Sequence, residues 1–193
     1  MKYPIGIQEF EKIIKGDYVY VDKTALIYRL VTEGSIYFLS RPRRFGKSLL
    51  VSTLEAYFQG RKDLFKGLAI DELETEWVEH PVFHISFGGE NFIEQGALES
   101  KITTALNKWE ELYGKSPNAT TFGGRFLYTV QAAHQKTGKR VVVLVDEYDK
   151  PLLDVLDTGY STKIEGQERL LEEHHRNILK GLYSVFKEAD ANL

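Results

Sequence analysis

Ser40-Arg41-Pro42-Arg43-Arg44-Phe45-Gly46-Lys47-Ser48 is the stretch on which the reading of this chain turns. A short apolar run, Ser35-Ile36-Tyr37-Phe38-Leu39, precedes it, and a helix-like run over residues 49–58 follows. A strand, a tight loop ending Gly-Lys-Ser and a helix are the setting in which a phosphate-binding loop works. Backbone N–H groups of such a loop wrap a phosphate, and the helix N-terminus adds partial positive charge. Arg41, Pro42, Arg43, Arg44, Phe45, Gly46, Lys47, Ser48 and Leu49 are therefore the candidate nucleotide-binding residues. Lys47 would face the outer phosphates and the Ser48 hydroxyl would ligate Mg2+. The usual pattern is G-x-x-x-x-G-K-[ST], and Arg41 stands where its first glycine belongs. The competing reading is a basic turn ahead of a core helix.

The rest of the composition sets bounds. The chain has 193 residues and a formal net charge of -3, enough for one full domain with a small appendage. Hydrophobic content of 42% and charged content of 27% are ordinary for a globular protein. No cysteine is present, so disulfides and Cys-ligated zinc are excluded. No apolar run is long enough to cross a membrane, and residues 1–6 lack a signal-peptide core, so the expected location is the cytoplasm. The near-neutral balance argues against a nucleic-acid-coating domain, although Arg41, Arg43 and Arg44 form a local basic site.

Along the chain, Ile7, Phe10, Ile13 and Ile14 have helical spacing, and residues 18–21 read as extended. Asp22 is placed to cap a helix over 23–31, with Ala25, Leu26, Leu30 and Val31 as its apolar face. Residues 71–78 read as a short helix through Leu73 and Trp77, and 82–87 as a strand closed by Gly88-Gly89. Helices are expected over 95–113 and 125–135. Val141-Val142-Val143-Leu144-Val145-Asp146 is the strongest strand signal, and its unbroken apolar run predicts burial on both faces. A polar loop to Gly166 and a last helix over 167–187, with His174 on its packed side, complete the chain. Strands alternating with helices predict an α/β three-layer sandwich built on a parallel sheet.

Asp146-Glu147 supplies the second half of the chemistry. A carboxylate at the C-terminal end of a parallel strand sits where open α/β sheets bind ligands. Asp146 is placed to hold Mg2+ through its water shell, and Glu147 to orient and deprotonate an attacking water. The plainer reading is an acidic pair at a strand end. His174 and His175 are adjacent, so on a helix they point about 100° apart and do not make a metal pair. Asp149 and Lys150 are expected to pair locally.

Several strings taken together resemble one family. They are Pro4-Ile5-Gly6-Ile7 with Phe10, Tyr20-Val21-Asp22-Lys23-Thr24, Arg41-Pro42-Arg43-Arg44-Phe45-Gly46-Lys47-Ser48 and Asp146-Glu147-Tyr148-Asp149-Lys150-Pro151. They look like the bacterial AAA-ATPase-like family, whose members commonly carry a PD-(D/E)XK nuclease-like domain downstream. That family also has Arg in place of the first glycine, and Pro42 is expected to hold the turn instead. The resemblance implies a P-loop NTPase-like sheet over 34–193 preceded by a helical linker segment over 1–33. It implies ATP and Mg2+ as cofactors, Lys47 and Glu147 as catalytic residues, and Ser48 and Asp146 as the metal residues. It also implies an ATP-binding and ATP-hydrolysing role or, alternatively, a nucleotide-gated module controlling the nuclease-like domain and through it nucleic acid. Asp22, Lys23 and Thr24 are placed either at the base and ribose or at a helix cap. ATPases of this type carry a further strand between the P-loop and Asp-Glu strands, ending in a polar sensor residue. No strand is expected after residue 147. The sheet is therefore expected to be incomplete and the chain truncated, with an oligomer or partner covering the open sheet.

Overall fold

The computed structural model describes residues 2–40, 42, 45–164 and 166–193. It is a mixed α/β structure that divides into two compact units, Met1–Val82 and Phe83–Leu193. Each is built around its own buried aromatic residues.

The first unit holds helices α1 (Phe10–Lys15), α2 (Thr24–Glu33), α3 (Lys47–Phe58) and α4 (Ala69–Leu73). Phe10 is fully buried and meets Phe65 and Tyr20, with ring centroids at 4.8 and 5.2 Å. Its N–H donates to Ser52 Oγ on α3 at 2.9 Å, which ties the start of α1 to the middle of α3. The expected helix over 71–78 ends early, at Leu73. There the Glu74 carboxylate accepts from Glu76 N–H, and Trp77 takes a φ of +46° with its ring 5.1 Å from that of Phe65. Burial of one indole against Phe65 outweighs continuation of a short helix. The phase of α2 also differs from expectation. Thr24 and Ile27 are the buried residues, and Leu26 is exposed.

Residues 36–39 are the main departure in this unit. They were expected as the strand leading into the phosphate loop, but they carry no strand hydrogen bonding in the structure. Ile36 is 84% exposed and Phe38 71%. Four β-forming residues in a row set a propensity, but a strand exists only where a second segment pairs with it.

The second unit contains β1 (Val82–Ser86), which opens at the boundary, and β2 (Val142–Asp146). These two strands pair in parallel as a small two-stranded sheet. Helices α5 (Ala97–Tyr113), α6 (Phe122–Thr137) and α8 (Leu171–Glu188) enclose the core with them. Phe83 of β1 stacks on Trp109 of α5 with centroids 4.7 Å apart. α6 starts three residues before the expected helix because Thr121 caps it, its hydroxyl accepting from Gly124 N–H at 3.1 Å. Its end is set by Gly138 in the left-handed region, whose N–H donates to the His134 carbonyl. α5 and α6 are joined by a paired guanidinium and carboxylate, Arg125 and Glu110, with both nitrogen–oxygen distances at 2.7 Å.

β2 is only half-buried along most of its length, against the expectation of burial on both faces. Val143 and Val145 pack on the core, whereas Val142 and Leu144 lie outside that cluster. An apolar run of this kind is buried on both faces only where a layer covers each face. The tail also differs from expectation. Short α7 (Lys150–Leu153) is followed by an antiparallel hairpin, β3 (Ser161–Ile164) with β4 (Gln167–Leu170), where a polar loop and a helix start were expected. Gly166, at φ +81°, leads into β4 in a backbone region that favours glycine. The hairpin moves the start of α8 to Leu171, and the buried residues of that helix are Leu171, His175, Leu179, Leu182 and Val185. His175, not His174, is therefore the inward histidine. No described helix is long and apolar enough to cross a membrane.

Candidate functional site

The residues expected to form a phosphate loop lie in the first unit. α3 begins at Lys47, directly behind Gly46, which has a φ of +73°. Among the described residues a Cβ on Gly46 would meet nothing within 4 Å, and the positive φ is what favours glycine here. The first intrahelical bond runs from Leu50 N–H to the Gly46 carbonyl at 3.0 Å. The N-cap residue Gly46 has no side chain to cap this helix, and the N–H groups of Lys47, Ser48 and Leu49 have no acceptor among the described residues. Lys47, Ser48 and Leu49 are half-buried, while Pro42, Phe45 and Gly46 are exposed. Arg41, Arg43 and Arg44, and with them the expected Pro42-supported turn at Arg41, lie outside the described residues.

Of Asp22, Lys23 and Thr24, placed either at the base and ribose or at a helix cap, Asp22 and Thr24 make hydrogen bonds at a helix start. Asp22 Oδ1 accepts from the Thr24 N–H at 2.8 Å and from the Thr24 hydroxyl at 2.7 Å. Its Oδ2 accepts from Ala69 N–H at 2.7 Å, and Thr24 Oγ1 accepts from Ile70 N–H at 3.0 Å. The pair thus caps the first turn of α4 with side chains from the start of α2. Burial pushes the Asp22 carboxyl upward, but the hydrogen bonds from Ala69 and Thr24 outweigh it and hold its pKa below the ordinary value.

The expected acidic pair, Asp146-Glu147, lies in the second unit. Asp146 closes β2 and is 8% exposed. Its carbonyl accepts from Phe87 N–H at 3.0 Å, which binds the end of β1 to the end of β2. Asp146 Oδ1 accepts from Glu147 N–H at 3.0 Å. Glu147 is exposed, at a φ of +50°, a backbone region that side-chain-bearing residues avoid. The Glu147 carbonyl accepts from Lys150 N–H at 3.0 Å, which starts α7 with Pro151 in its first turn. Lys150 pairs with Asp154, one turn on, and not with Asp149 as expected. Asp154 also accepts from Phe92 N–H at 3.2 Å, and Lys150 Nζ sits 5.4 Å from the Phe92 ring centre.

Two residues that support this pair were not found in the sequence. His175 Nδ1 donates to the Pro151 carbonyl at 2.8 Å, so α8 holds the turn after Glu147 from beneath. Burial lowers the pKa of His175 below the ordinary histidine value, although the Pro151 hydrogen bond and nearby acidic charges work the other way. His174 instead meets Glu99 on α5. Gly88 is the second, and its space is occupied by the Glu147 carboxylate. Neither carries a local signal, since both act on a residue about sixty or fewer positions away in sequence but adjacent in space.

The chain matches, over residues 4–193, the family described as predicted AAA-ATPase. It belongs to this AAA-ATPase-like family. It is also 45% identical over 194 residues to a protein of Azotobacter chroococcum mcd 1 described as "Uncharacterized protein in vnfD 5'region". That match takes in all of this chain and 36% of the relative, so the chain spans about a third of the relative's length. No solved structure matches it. Membership in the AAA-ATPase-like family supports nucleotide binding in general. Among the described residues no group of three or more His, Asp or Glu could hold a metal ion by itself.

Proposed function

We propose that this domain binds ATP with Mg2+ and hydrolyses it. The observation that carries the reading is the end of β2. A buried aspartate accepts from the N–H of the next residue, and that residue, a glutamate, is held out in a left-handed backbone. Backbone strain of this kind recurs where a side chain must be aimed. The family and the Gly46-Lys47-Ser48 helix start add support for the nucleotide side.

In this reading the N–H groups of Lys47, Ser48 and Leu49 cradle the β-phosphate, and Lys47 Nζ neutralises charge on the γ-phosphate. Ser48 and Asp146 would hold Mg2+, which would supply further neutralisation of the phosphate charge. Glu147 accepts a proton from water as the water oxygen bonds to the γ-phosphorus and the bond to the bridging oxygen breaks, leaving ADP and phosphate. Arg41, Pro42, Arg43, Arg44 and Phe45 complete the loop around the phosphates. The parallel pair β1–β2 belongs, in the same reading, to a three-layer P-loop-type sheet over 34–193.

The test is ATP affinity and phosphate release for wild type, Lys47→Ala and Glu147→Gln. Lys47→Ala loses binding. Glu147→Gln keeps binding and slows release about 100-fold or more, the usual contribution of a positioned base. Wild type and Glu147→Gln hydrolysing equally slowly while both bind ATP would overturn hydrolysis. That result favours the second reading, a nucleotide-gated module that controls an attached nuclease-like domain acting on nucleic acid.

A further inference from the structure

The end of β1 lies beside the end of β2, since Phe87 N–H donates to the Asp146 carbonyl. Gly88 is the next residue. A Cβ placed on it would lie 3.1 Å from Glu147 Oε1, 3.2 Å from Cδ and 3.3 Å from Oε2, and these are its three nearest neighbours. The Gly88 N–H is engaged separately, donating to Ser86 Oγ at 3.2 Å. Gly88 is not among the glycines of positive φ, whereas Gly89 beside it, at φ +79°, is. The backbone at 88 therefore accepts any residue, and what a side chain there would disturb is the carboxylate.

Glu147 is fixed from its own side as well. Its N–H is held by Asp146 Oδ1, its carbonyl by Lys150 N–H, and its φ is +50°. With the backbone held at both ends, the carboxylate lies in the space that a side chain at Gly88 would enter. We propose that Gly88 is a positioning residue for Glu147, giving its carboxylate the place from which it acts on water. This rests on the hydrolytic reading of Glu147. Ordinary contact begins at 3.4 Å, so alanine at 88 would displace the carboxylate by a few tenths of an ångström. The displaced atoms are the free end of a flexible side chain, so the fold is not put at risk.

Orientation-dependent chemistry loses about 100-fold for a misplacement of about 1 Å, so a shift of a few tenths is expected to cost about 3- to 10-fold. The experiment compares wild type, Gly88→Ala, Glu147→Gln and the double variant for ATP affinity, phosphate release at saturating Mg-ATP and thermal midpoint. Gly88→Ala is expected to lower kcat about 3- to 10-fold with ATP affinity within about twofold and the midpoint unchanged. The double variant is expected to be no slower than Glu147→Gln, because Gly88 acts through that carboxylate. Unchanged kcat in Gly88→Ala overturns the inference while leaving hydrolysis intact. So does a loss that adds to that of Glu147→Gln, or a drop in affinity or midpoint, which would place the role in binding or in the fold. A wild type no faster than Glu147→Gln removes the hydrolytic reading, and the role of Gly88 with it.

Discussion

Thr24→Val removes one hydroxyl and keeps nearly the same shape. Thr24 and Ile70 are both fully buried, and the Thr24 hydroxyl is the acceptor for Ile70 N–H. With valine, that N–H stays buried without its partner, a deficit of about 1–3 kcal/mol. The hydroxyl also donates to Asp22, but Asp22 keeps the N–H groups of Thr24 and Ala69, so this second loss is small. A central expectation is therefore about 2 kcal/mol of destabilisation in the first unit. Asp22→Ala, which uncaps α4 at Ala69, is expected to cost about 1–2 kcal/mol. The two losses should be non-additive, since both groups serve one network. Urea unfolding followed by Trp77, which packs on Phe65 in this unit, measures the effect in a Trp109→Phe background. The midpoint should fall with the slope unchanged. The Asp22 carboxyl has a lowered folded pKa, so its share of stability is present above the ordinary aspartate range and is lost as pH falls through the folded value. ATP affinity should not move. Stability within about 0.5 kcal/mol of the parent, or unchanged stability with ATP binding weakened tenfold, would refute the cap and return Asp22-Lys23-Thr24 to the nucleotide.

Two helical glycines should respond with opposite signs. A Cβ on Gly123 would lie 2.9 Å from the Gly181 carbonyl oxygen and 3.1 Å from Val185 Cγ1, so Gly123→Ala must push α6 from α8 and should cost about 1–3 kcal/mol. A Cβ on Gly181 meets nothing within 4 Å, and Gly181→Ala should add about 0.5–1 kcal/mol, both read by thermal denaturation. Arg125→Met strands Glu110, itself buried, and should cost about 3–5 kcal/mol. Arg125 holds the Glu110 pKa below the ordinary glutamate value, so this deficit should shrink in acid as Glu110 takes up a proton, seen as converging urea midpoints. His175 has a depressed folded pKa, so its contribution is intact above the unfolded histidine value of about 6.5. Below that the unfolded chain takes up the proton first, so stability should fall as the pH drops through the ordinary histidine range. His175→Gln should flatten that slope, and an unchanged slope would show that another group governs it.

The elements that carry the candidate residues were legible where their signals are local. Gly46-Lys47-Ser48 ahead of an apolar helical run marks the start of α3, and the β-branched run ending in Asp146-Glu147 marks β2. The long amphipathic helices α5 and α6 followed from their 3.6-residue spacing. The phase of α8 did not, because the β3–β4 hairpin delays its start, and one residue of rotation exchanges His174 for His175. Asp22-Lys23-Thr24 was legible as a cap, but the helix it caps across space, α4, lies more than forty residues away.

The sequence by itself therefore determined where this chain turns, which segments are amphipathic, and which residue types stand at the ends of α3 and β2. These depend on backbone angles and side-chain periodicity within a few residues. The tertiary structure alone decided that residues 36–39 are not paired as a strand, that β2 takes β1 as its parallel partner, and that Gly88 lies against the Glu147 carboxylate. Pairing and close approach join segments dozens of residues apart. The free energy of such contacts belongs to both segments at once, and neither segment carries it in its own sequence.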